Sequence, residues 1–301
     1  MTRKYFPFRI ILFLLIFTGC IRENTDNCET TVMFNYVYHL HTYNRDLFSE
    51  EVEHLQVYIY DGTGVLVTEK SVPIEFMTGN SVSFDLVSGK YTAVTWGNTH
   101  TGIFECDDKH ELSNVRVGIN CFDENGVLST TDPGSLFHGI TEFTVKGGSP
   151  YKETVPLTKN YNKINLKIKG IENVSSGDVI TSLTGCNAHY SYDNYFHSNN
   201  LIISYISGRE LDENDNIIEC YNVYRLLDND EDLVLKIFAE NADGLIYSFE
   251  EPVVPILLKD ISRKQQEYLD REDEFFIAIG FDEDGTASVR SWEEVDTSTE
   301  I

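Results

Sequence analysis

Residues 163–169 read Lys-Ile-Asn-Leu-Lys-Ile-Lys, an unbroken alternation of polar and apolar side chains. Because successive side chains of a β-strand point to opposite faces, this spacing predicts a strand with one face in a core. Ile164, Leu166 and Ile168 are expected to point inward. The lysines are expected to point to solvent, namely Lys163, Lys167 and Lys169. On that register, Lys167→Ala should cost less than about 0.5 kcal/mol of stability.

The same alternation recurs on both sides of this stretch. Residues 55–60 and 65–68 flank Asp61-Gly-Thr-Gly64, which predicts a hairpin with a glycine-containing loop. Further short alternating segments occur at 31–38, 82–87, 91–96, 141–145, 153–157, 188–192, 201–206, 233–238, 245–249, 275–281 and 287–292. Many short strands separated by turn signals favour an all-β protein built from β-sandwiches.

One segment favours a helix instead. Residues 262–269 carry Ser262 and Gln265 at the spacing of a capping box, so a helix is expected to begin at Ser262. The chain length suggests two domains of ordinary size. We expect a signal peptide over 1–19, a tether over 20–30, and two tandem sandwiches over 31–159 and 160–301, with a boundary uncertainty of about five residues.

The charge balance excludes one class of partner. The chain has 301 residues with 23 Lys and Arg against 49 Asp and Glu, a formal net charge of −26. A nucleic-acid backbone requires clustered cationic side chains, so nucleic-acid binding is not expected. Binding to anionic lipid through charge is disfavoured for the same reason.

The first twenty residues predict export and lipidation. A basic start is followed by an apolar run over 10–17 and then by Thr-Gly-Cys20, which is a signal peptide with a small-residue cleavage site. The cysteine directly after it predicts lipidation of Cys20, with fatty acyl chains such as palmitate holding the protein on the membrane. The alternative is a secreted protein in which Cys20 is a structural thiol.

Cysteine spacing gives no further motif. Cys28, Cys106, Cys121, Cys186 and Cys220 remain after Cys20. Their number is odd, and no C-x-x-C pair exists. Pairing of Cys106 with Cys121, and of Cys186 with Cys220, follows from nearness in sequence alone, so the disulfide pattern stays open.

Motifs for catalysis and metal binding are weak. His110-Glu111 lacks the second histidine of a zinc-protease helix, because Asn114 stands there. His39 and His41 would share one face of a strand, but no third ligand is evident, which favours ordinary histidines. No nucleophile elbow or phosphate-binding loop is present, so neither an enzyme nor a cofactor or metal is expected.

Two acidic runs and two tryptophans have alternative interpretations. Residues 212–216 match the first positions of a calcium loop but lack its glycine and its final glutamate. Both this run and residues 228–232 are therefore interpreted as solvated loops. Trp96 and Trp292 end predicted strands, where packing against a core is favoured over a sugar-binding platform.

Several ordered pieces resemble one family. They are Cys20-Ile-Arg-Glu with Cys28, then 48–61, Leu86-Val-Ser-Gly-Lys-Tyr-Thr-Ala-Val-Thr-Trp96, Leu136-Phe-His-Gly139, 155–164 and 268–276. Together they resemble the FimB-type fimbrial anchor and minor-subunit proteins of type V fimbriae, over nearly the whole mature chain.

This resemblance implies two transthyretin-like β-sandwich domains and no catalytic residues. It also implies an outer-membrane, surface-exposed lipoprotein that attaches fimbriae to the cell and limits their length. Its partners would be fimbrial structural subunits, joined by exchange of a β-strand. The alternative function is a surface lipoprotein that binds glycans through two or three exposed aromatic side chains.

The direction of strand exchange can also be predicted. As the resemblance implies, stalk subunits lose an N-terminal strand by cleavage after an arginine, but Arg22 is the only basic residue between Cys20 and the first strand. Cleavage there would release an anchor from its lipid. Residues 293–301 contain only two apolar side chains and do not alternate as a donor strand must. We therefore expect this chain to accept a strand and not to donate its C-terminus.

Overall fold

The computed structural model describes residues 28–43, 45–101, 104–119, 127–130, 134–186, 189–196, 201–290 and 292. The predicted signal peptide, Cys20, Cys121 and the tail over 293–301 lie outside these residues. Within the described part of the chain, no helix is long and apolar enough to cross a bilayer.

The described chain is nearly all β, as the alternating segments predicted. The strands of its first half are β1 (Thr30–Val37), β2 (His54–Asp61), β3 (Leu66–Pro73), β4 (Ser81–Leu86), β5 (Gly89–Gly97), β6 (Phe104–Asp107), β7 (Arg116–Ile119), β8 (Val127–Thr130), β9 (Phe137–Val145), β10 (Tyr151–Pro156) and β11 (Thr158–Lys159).

Ten strands follow in the second half. They are β12 (Tyr161–Lys169), β13 (Ile180–Gly185), β14 (His189–Ser191), β15 (Ile202–Tyr205), β16 (Gly208–Leu211), β17 (Ile217–Tyr224), β18 (Val234–Glu240), β19 (Ile246–Pro252), β20 (Glu274–Phe281) and β21 (Ala287–Arg290). The α-helices are α1 (Phe48–Glu51), α2 (Val253–Leu257) and α3 (Gln265–Arg271). Short 3-10 turns lie at Ile74–Phe76, Thr99–Thr101, Leu112–Asn114 and Ser176–Asp178.

The first half of the chain builds one sandwich. A three-stranded sheet in the order β10-β1-β4 packs on a five-stranded sheet in the order β11-β9-β5-β2-β3. Strand β1 is central in its sheet, where it pairs parallel with β10 and antiparallel with β4. Its alternate side chains, Val32, Phe34 and Tyr36, are fully buried in the core between the two sheets. The predicted hairpin is confirmed as β2 and β3, with the Asp61 carboxylate accepting backbone N–H bonds from Thr63 and Val65.

The second half builds another sandwich from sheets β16-β17-β12-β20-β21 and β19-β18-β13-β15-β8. Strand β12 confirms the predicted inward face, since Ile164, Leu166 and Ile168 are buried. The outward prediction is wrong for Lys167, whose side chain is only 4% exposed. Its ammonium lies 3.0 Å from the Asp212 carboxylate and 5.5 Å from the Trp292 ring, so these two groups cover it.

The two halves exchange short strands. Strand β8, from the first half, pairs parallel with β15 of the second sandwich. In return, β14 from the second half pairs with β7, in a small sheet ordered β14-β7-β6. One hydrophobic cluster therefore runs from the outer face of β2 and β5 through these short strands into the second sandwich. The boundary at residue 159 stays a prediction, and no pattern in the sequence predicted the exchange.

A buried polar joint connects the halves beside this cluster. The Arg225 guanidinium donates to both carboxylate oxygens of Asp270, at 2.7 and 2.8 Å, and also to the Asn194 carbonyl. Asn194 and Asn160 exchange side-chain amide hydrogen bonds at 2.6 and 3.0 Å. His138 accompanies them, with Nε2 2.8 Å from the Tyr192 carbonyl oxygen. Burial at this site lowers the pKa of His138 to about 4.

The predicted helix exists but begins later than expected. Helix α3 starts at Gln265, after Lys264 in a left-handed backbone conformation, and no side chain caps it. The Gln265 side chain donates to the Ile261 carbonyl instead of completing a capping box with Ser262. The expected cap is therefore wrong, although the helix itself is confirmed.

Candidate binding cleft beside β20

Strand β20 is longer than the neighbour on one of its sides. It is eight residues long and pairs parallel with β12 from Glu274 to Gly280. On the opposite side, four-residue β21 covers only Ala278–Phe281. Among the described residues, no strand pairs with that side of β20 from Glu274 to Ile277.

The hydrogen-bonding pattern of β20 shows which backbone N–H and C=O groups face this open side. In a parallel pair, alternate residues direct both their N–H and C=O groups to the same neighbour. The Lys163 N–H donates to the Asp273 carbonyl at 3.0 Å, so Phe275 and Ile277 use their backbone groups toward β12. Glu274 and Phe276 therefore direct theirs to the open side. An exposed strand edge of this kind is a template for another strand.

A cleft of about 640 Å³ lies along this open edge. Its apolar wall comes from helix α2, helix α3 and strands β20 and β21, through Ile256, Leu257, Tyr268, Phe275, Ile277 and Val289. Charged side chains stand at its rim, namely Lys259, Asp260, Glu272, Glu274 and Arg290. The cleft thus combines apolar walls and a charged rim with backbone groups that no strand among the described residues pairs with.

Aromatic rings mark the cleft. Phe276 is 55% exposed, and Trp292 meets it edge-on with ring centroids 5.2 Å apart. Tyr268 packs edge-on against the buried Phe275 at 5.8 Å. Burial is the main cause that raises the pKa of Tyr268, so its phenol remains neutral. All three rings line the cleft, with Phe276 and Trp292 on the outer face of β20 and Tyr268 on the face of the buried Phe275.

The rim charges are already partly paired. Glu274 accepts from Lys163 at 3.2 Å, and Arg290 donates to Asp282 at 2.6 Å. Both pairs are substantially exposed, so each contributes little to stability. They can be rearranged at low cost when a ligand enters the cleft.

The β4 edge of the first sandwich is more protected. Lys70, on β3, reaches across to the Ser83 carbonyl of β4 and lies over the Phe84 ring. A lysine in this position blocks the β4 edge against a further strand. The position between β10 and β4, where a removed strand would open a groove, is filled by β1 itself.

The predicted tryptophans have different environments. Trp96 is fully buried against His138 and Tyr190, which confirms packing and leaves no sugar platform there. Trp292 lies at the cleft. The sequence indicated neither the cleft nor its aromatic group, because the cleft results from the unequal lengths of β20 and β21.

The structure separates the two histidines that were considered as a metal pair. Strand β1 ends at Val37, so His39 and His41 do not share a strand face. His39 is exposed, whereas His41 is buried with Nε2 2.7 Å from the Arg45 carbonyl oxygen. Within the described ranges, no cluster of three His, Cys, Asp or Glu side chains could hold a metal ion.

The described cysteines also differ from one expectation. Cys106, Cys186 and Cys220 form no disulfide with one another, so the pairing of Cys186 with Cys220 is wrong. Cys220 lies on β17, whereas Cys186 follows β13 in the opposite sheet. Burial raises the pKa of both thiols. The pairing of Cys106 with Cys121 cannot be compared, because Cys121 lies outside the described residues.

Comparison with protein families gives one match over most of the chain. The model of the fimbrillin-A associated anchor proteins Mfa1 and Mfa2 matches residues 25–298. A search among curated protein sequences gave no significant match.

Solved structures share the fold at low sequence identity. The fimbrial anchor protein Mfa2 from Porphyromonas gingivalis superposes with a TM-score of 0.70 at 15% identity, covering 87% of this chain and 95% of that one. A structure described as a candidate polysaccharide-binding protein from Bacteroides thetaiotaomicron gives 0.72 at 16%, covering 88% and 99%. A candidate adhesin from Bacteroides ovatus gives 0.68 at 21%, covering 88% and 94%.

Proposed function

The chain belongs to the family of fimbrillin-A associated anchor proteins, and from that premise we propose that it anchors fimbriae at the outer membrane by accepting a β-strand from a fimbrial subunit. Membership in the family supports association with fimbriae and a place at the cell envelope. Lipidation of Cys20 would hold the protein on the membrane. The open edge of β20 is the observation that supports strand acceptance.

A strand entering the cleft would extend the ladder of β21. It would run antiparallel to β20 and bond to the backbone groups of Glu274 and Phe276. Its alternate side chains would pack against the apolar wall beside Phe275 and Ile277, and this packing would set the register of the inserted strand. Main-chain bonds would supply affinity, and these wall contacts would supply specificity.

Length control would follow from the first sandwich. If each subunit inserts a strand into the groove of the next, a subunit whose own groove is already filled cannot accept another, and the fimbria stops growing at that subunit. In this chain β1 occupies the centre of its sheet, with Phe34 and Tyr36 fully buried. The anchor would therefore bind one neighbour and offer no second groove between β10 and β4.

Phe276→Pro tests strand acceptance at the backbone. Proline removes the Phe276 N–H that faces the cleft while the bonds to β12 remain, and edge positions tolerate proline. Phe276→Ala is the matched control, because it removes the ring and keeps the N–H. We expect the proline variant to lose binding to the purified major fimbrial subunit and to lose attached fimbriae, whereas the alanine variant keeps part of both.

The comparison requires that both variants fold, which far-UV circular dichroism and urea midpoints report. A folded Phe276→Pro protein that binds the subunit as well as the unchanged protein would contradict strand acceptance at β20. Disulfide cross-linking from Phe276→Cys to cysteines placed along the subunit's terminal strand gives an independent readout of register.

Donation by the C-terminus is tested separately. Removing residues 294–301 should leave folding and fimbrial attachment intact, because their three acidic side chains are costly to bury in a groove. Loss of attached fimbriae by a folded, membrane-bound deletion variant would make the tail the donor and reverse the direction of exchange.

Glycan binding is the second candidate function, and the aromatic group in the cleft favours it. Phe276, Trp292 and Tyr268 could stack on sugar faces while the charged rim binds hydroxyl groups. Trp292→Ala should abolish binding to a polysaccharide panel if this is the function. If the cleft serves strand acceptance, the panel should show no binding, and the fimbrial subunit should bind instead.

A further inference from the structure

A second apolar surface lies outside the cleft, on the outer face of the sheet β19-β18-β13-β15-β8. Ile180, Phe238 and Ile246 are 63%, 43% and 52% exposed. Ile180 stands directly opposite Phe238, and Ile246 stands opposite Glu240, one diagonal step from Phe238. Side chains at these positions lie within about 8 Å of one another. We call these three side chains the outer apolar patch.

The core does not require these residues to be apolar. The inward positions of the same strands are filled by Ile237, Ala239 and Tyr247, all buried. On an antiparallel sheet with one solvated face, the outward positions normally carry polar side chains. Three contiguous exposed apolar side chains are typical of a surface that another molecule covers.

Acidic side chains surround the outer apolar patch. Glu240 is the cross-strand neighbour of Ile246, and Asp243 lies in the turn that joins β18 to β19. Asp178 lies two residues before β13, at the end of a 3-10 turn. Asp284 lies in the turn that touches Ile246, since a Cβ on Gly285 would lie only 2.5 Å from the Ile246 carbonyl oxygen. These carboxylates are exposed.

The nearby cations are already engaged. Arg209 forms an ion pair with buried Glu219, and Lys236 pairs with Glu250 at 2.7 Å. The local field at the patch is therefore negative. A partner that covers the patch gains most when an aliphatic centre is surrounded by Lys and Arg. A second copy of this chain would bring a second acidic rim, which disfavours self-association.

We propose that the outer apolar patch is a docking surface for the fimbrial subunit that joins this protein, through a subunit face with an aliphatic centre and a basic rim. This inference rests on the fimbrial role proposed above, but not on strand acceptance at β20. The patch and the cleft lie on different sheets, so each can be removed without the other.

The test measures binding of the full-length, detergent-solubilised protein to the purified major fimbrial subunit. Phe238→Ser should weaken binding about tenfold or more, since it removes a buried aromatic contact. Phe76→Ser is the matched control, because Phe76 is 75% exposed on the first sandwich and should leave binding unchanged. Glu240→Gln should slow association at low salt and reduce its salt dependence.

The outcomes separate this proposal from the proposed function. Equal binding by Phe238→Ser and Phe76→Ser, with both folded, would overturn the docking surface and leave the anchor function standing. Absence of subunit binding by the unchanged protein would overturn both. If Phe238→Ser changes only the sedimentation of the protein alone, the patch is a self-association surface and the proposal is wrong.

Discussion

Breaking the Arg225–Asp270 pair should destabilise the protein far more than breaking an ion pair on its surface. The side chains are 11% and 8% exposed, and the guanidinium engages both carboxylate oxygens. Asp270→Leu would leave a buried cation without its counter-ion, which typically costs about 3–5 kcal/mol. Arg225→Met would leave a buried carboxylate with Gln266 as a remaining donor, at a similar cost. Either change removes a large share of the 5–15 kcal/mol typical of a folded protein.

The double variant is the decisive measurement. With both charges removed, neither is left unpaired, so the double substitution should cost less than the two single ones together, by at least about 2 kcal/mol. Urea unfolding followed by far-UV circular dichroism and by fluorescence of Trp96, which lies 6.2 Å from Tyr190 at the joint, gives these free energies.

Lys236→Gln provides the control, because that pair is at least half exposed and should contribute under about 0.5 kcal/mol. Single-variant costs below about 1 kcal/mol, or additive costs in the double variant, would show that the joint does not depend on this pair.

Further measurements address the core, the pH response and the lipid. Leu166→Ala should lower the free energy of unfolding by about 2–5 kcal/mol. Lys167→Ala should lower it by about 1–2 kcal/mol, because the Asp212 carboxylate loses its ion-pair partner. A loss under about 0.5 kcal/mol at Lys167 would instead support the outward orientation predicted from the sequence. The low folded-state pKa of His138 means that the unfolded chain binds a proton first, so about 3 kcal/mol of stability should be lost as the pH falls from about 6.5 to about 4. His138→Gln should flatten that part of the urea-midpoint profile, and an unchanged slope would assign the loss to other groups. Cys20→Ala should release the protein or leave it unprocessed, whereas a variant that stays with membranes after a high-salt wash would exclude the lipid as anchor.

Alternation in the sequence predicted many of the strands and their buried faces, because that pattern is local, but the eight-residue β17 was not among the predicted segments. Ile164, Leu166 and Ile168 are buried for the reason that their spacing indicates. Lys167 has the same spacing as Lys163 and Lys169, which were predicted to face solvent with it, but Asp212 and Trp292 cover it. Those two residues are distant in sequence, so no local pattern could indicate them.

The pairing of strands that are distant in sequence was the main feature that the sequence did not predict. Strand β8 has four residues, too few for a periodic signal, whereas β14 falls in the predicted segment 188–192. The partners of both strands lie in the other half of the chain, so no local pattern could indicate the pairing. The cleft depends on the same kind of information. It exists because β21 stops at Arg290 while β20 begins at Glu274, which becomes visible only once the register is known.

The position of β1 has a mechanical consequence. A pull transmitted from the chain before Thr30 runs along the axis of a strand that is bonded on both sides, to β10 and to β4. The two ladders are then loaded in shear, so their hydrogen bonds resist together instead of opening one after another. Rupture would also have to drag Phe34 and Tyr36 through a closed core. The first strand is therefore built to carry tension, and forced unfolding should begin elsewhere in the molecule.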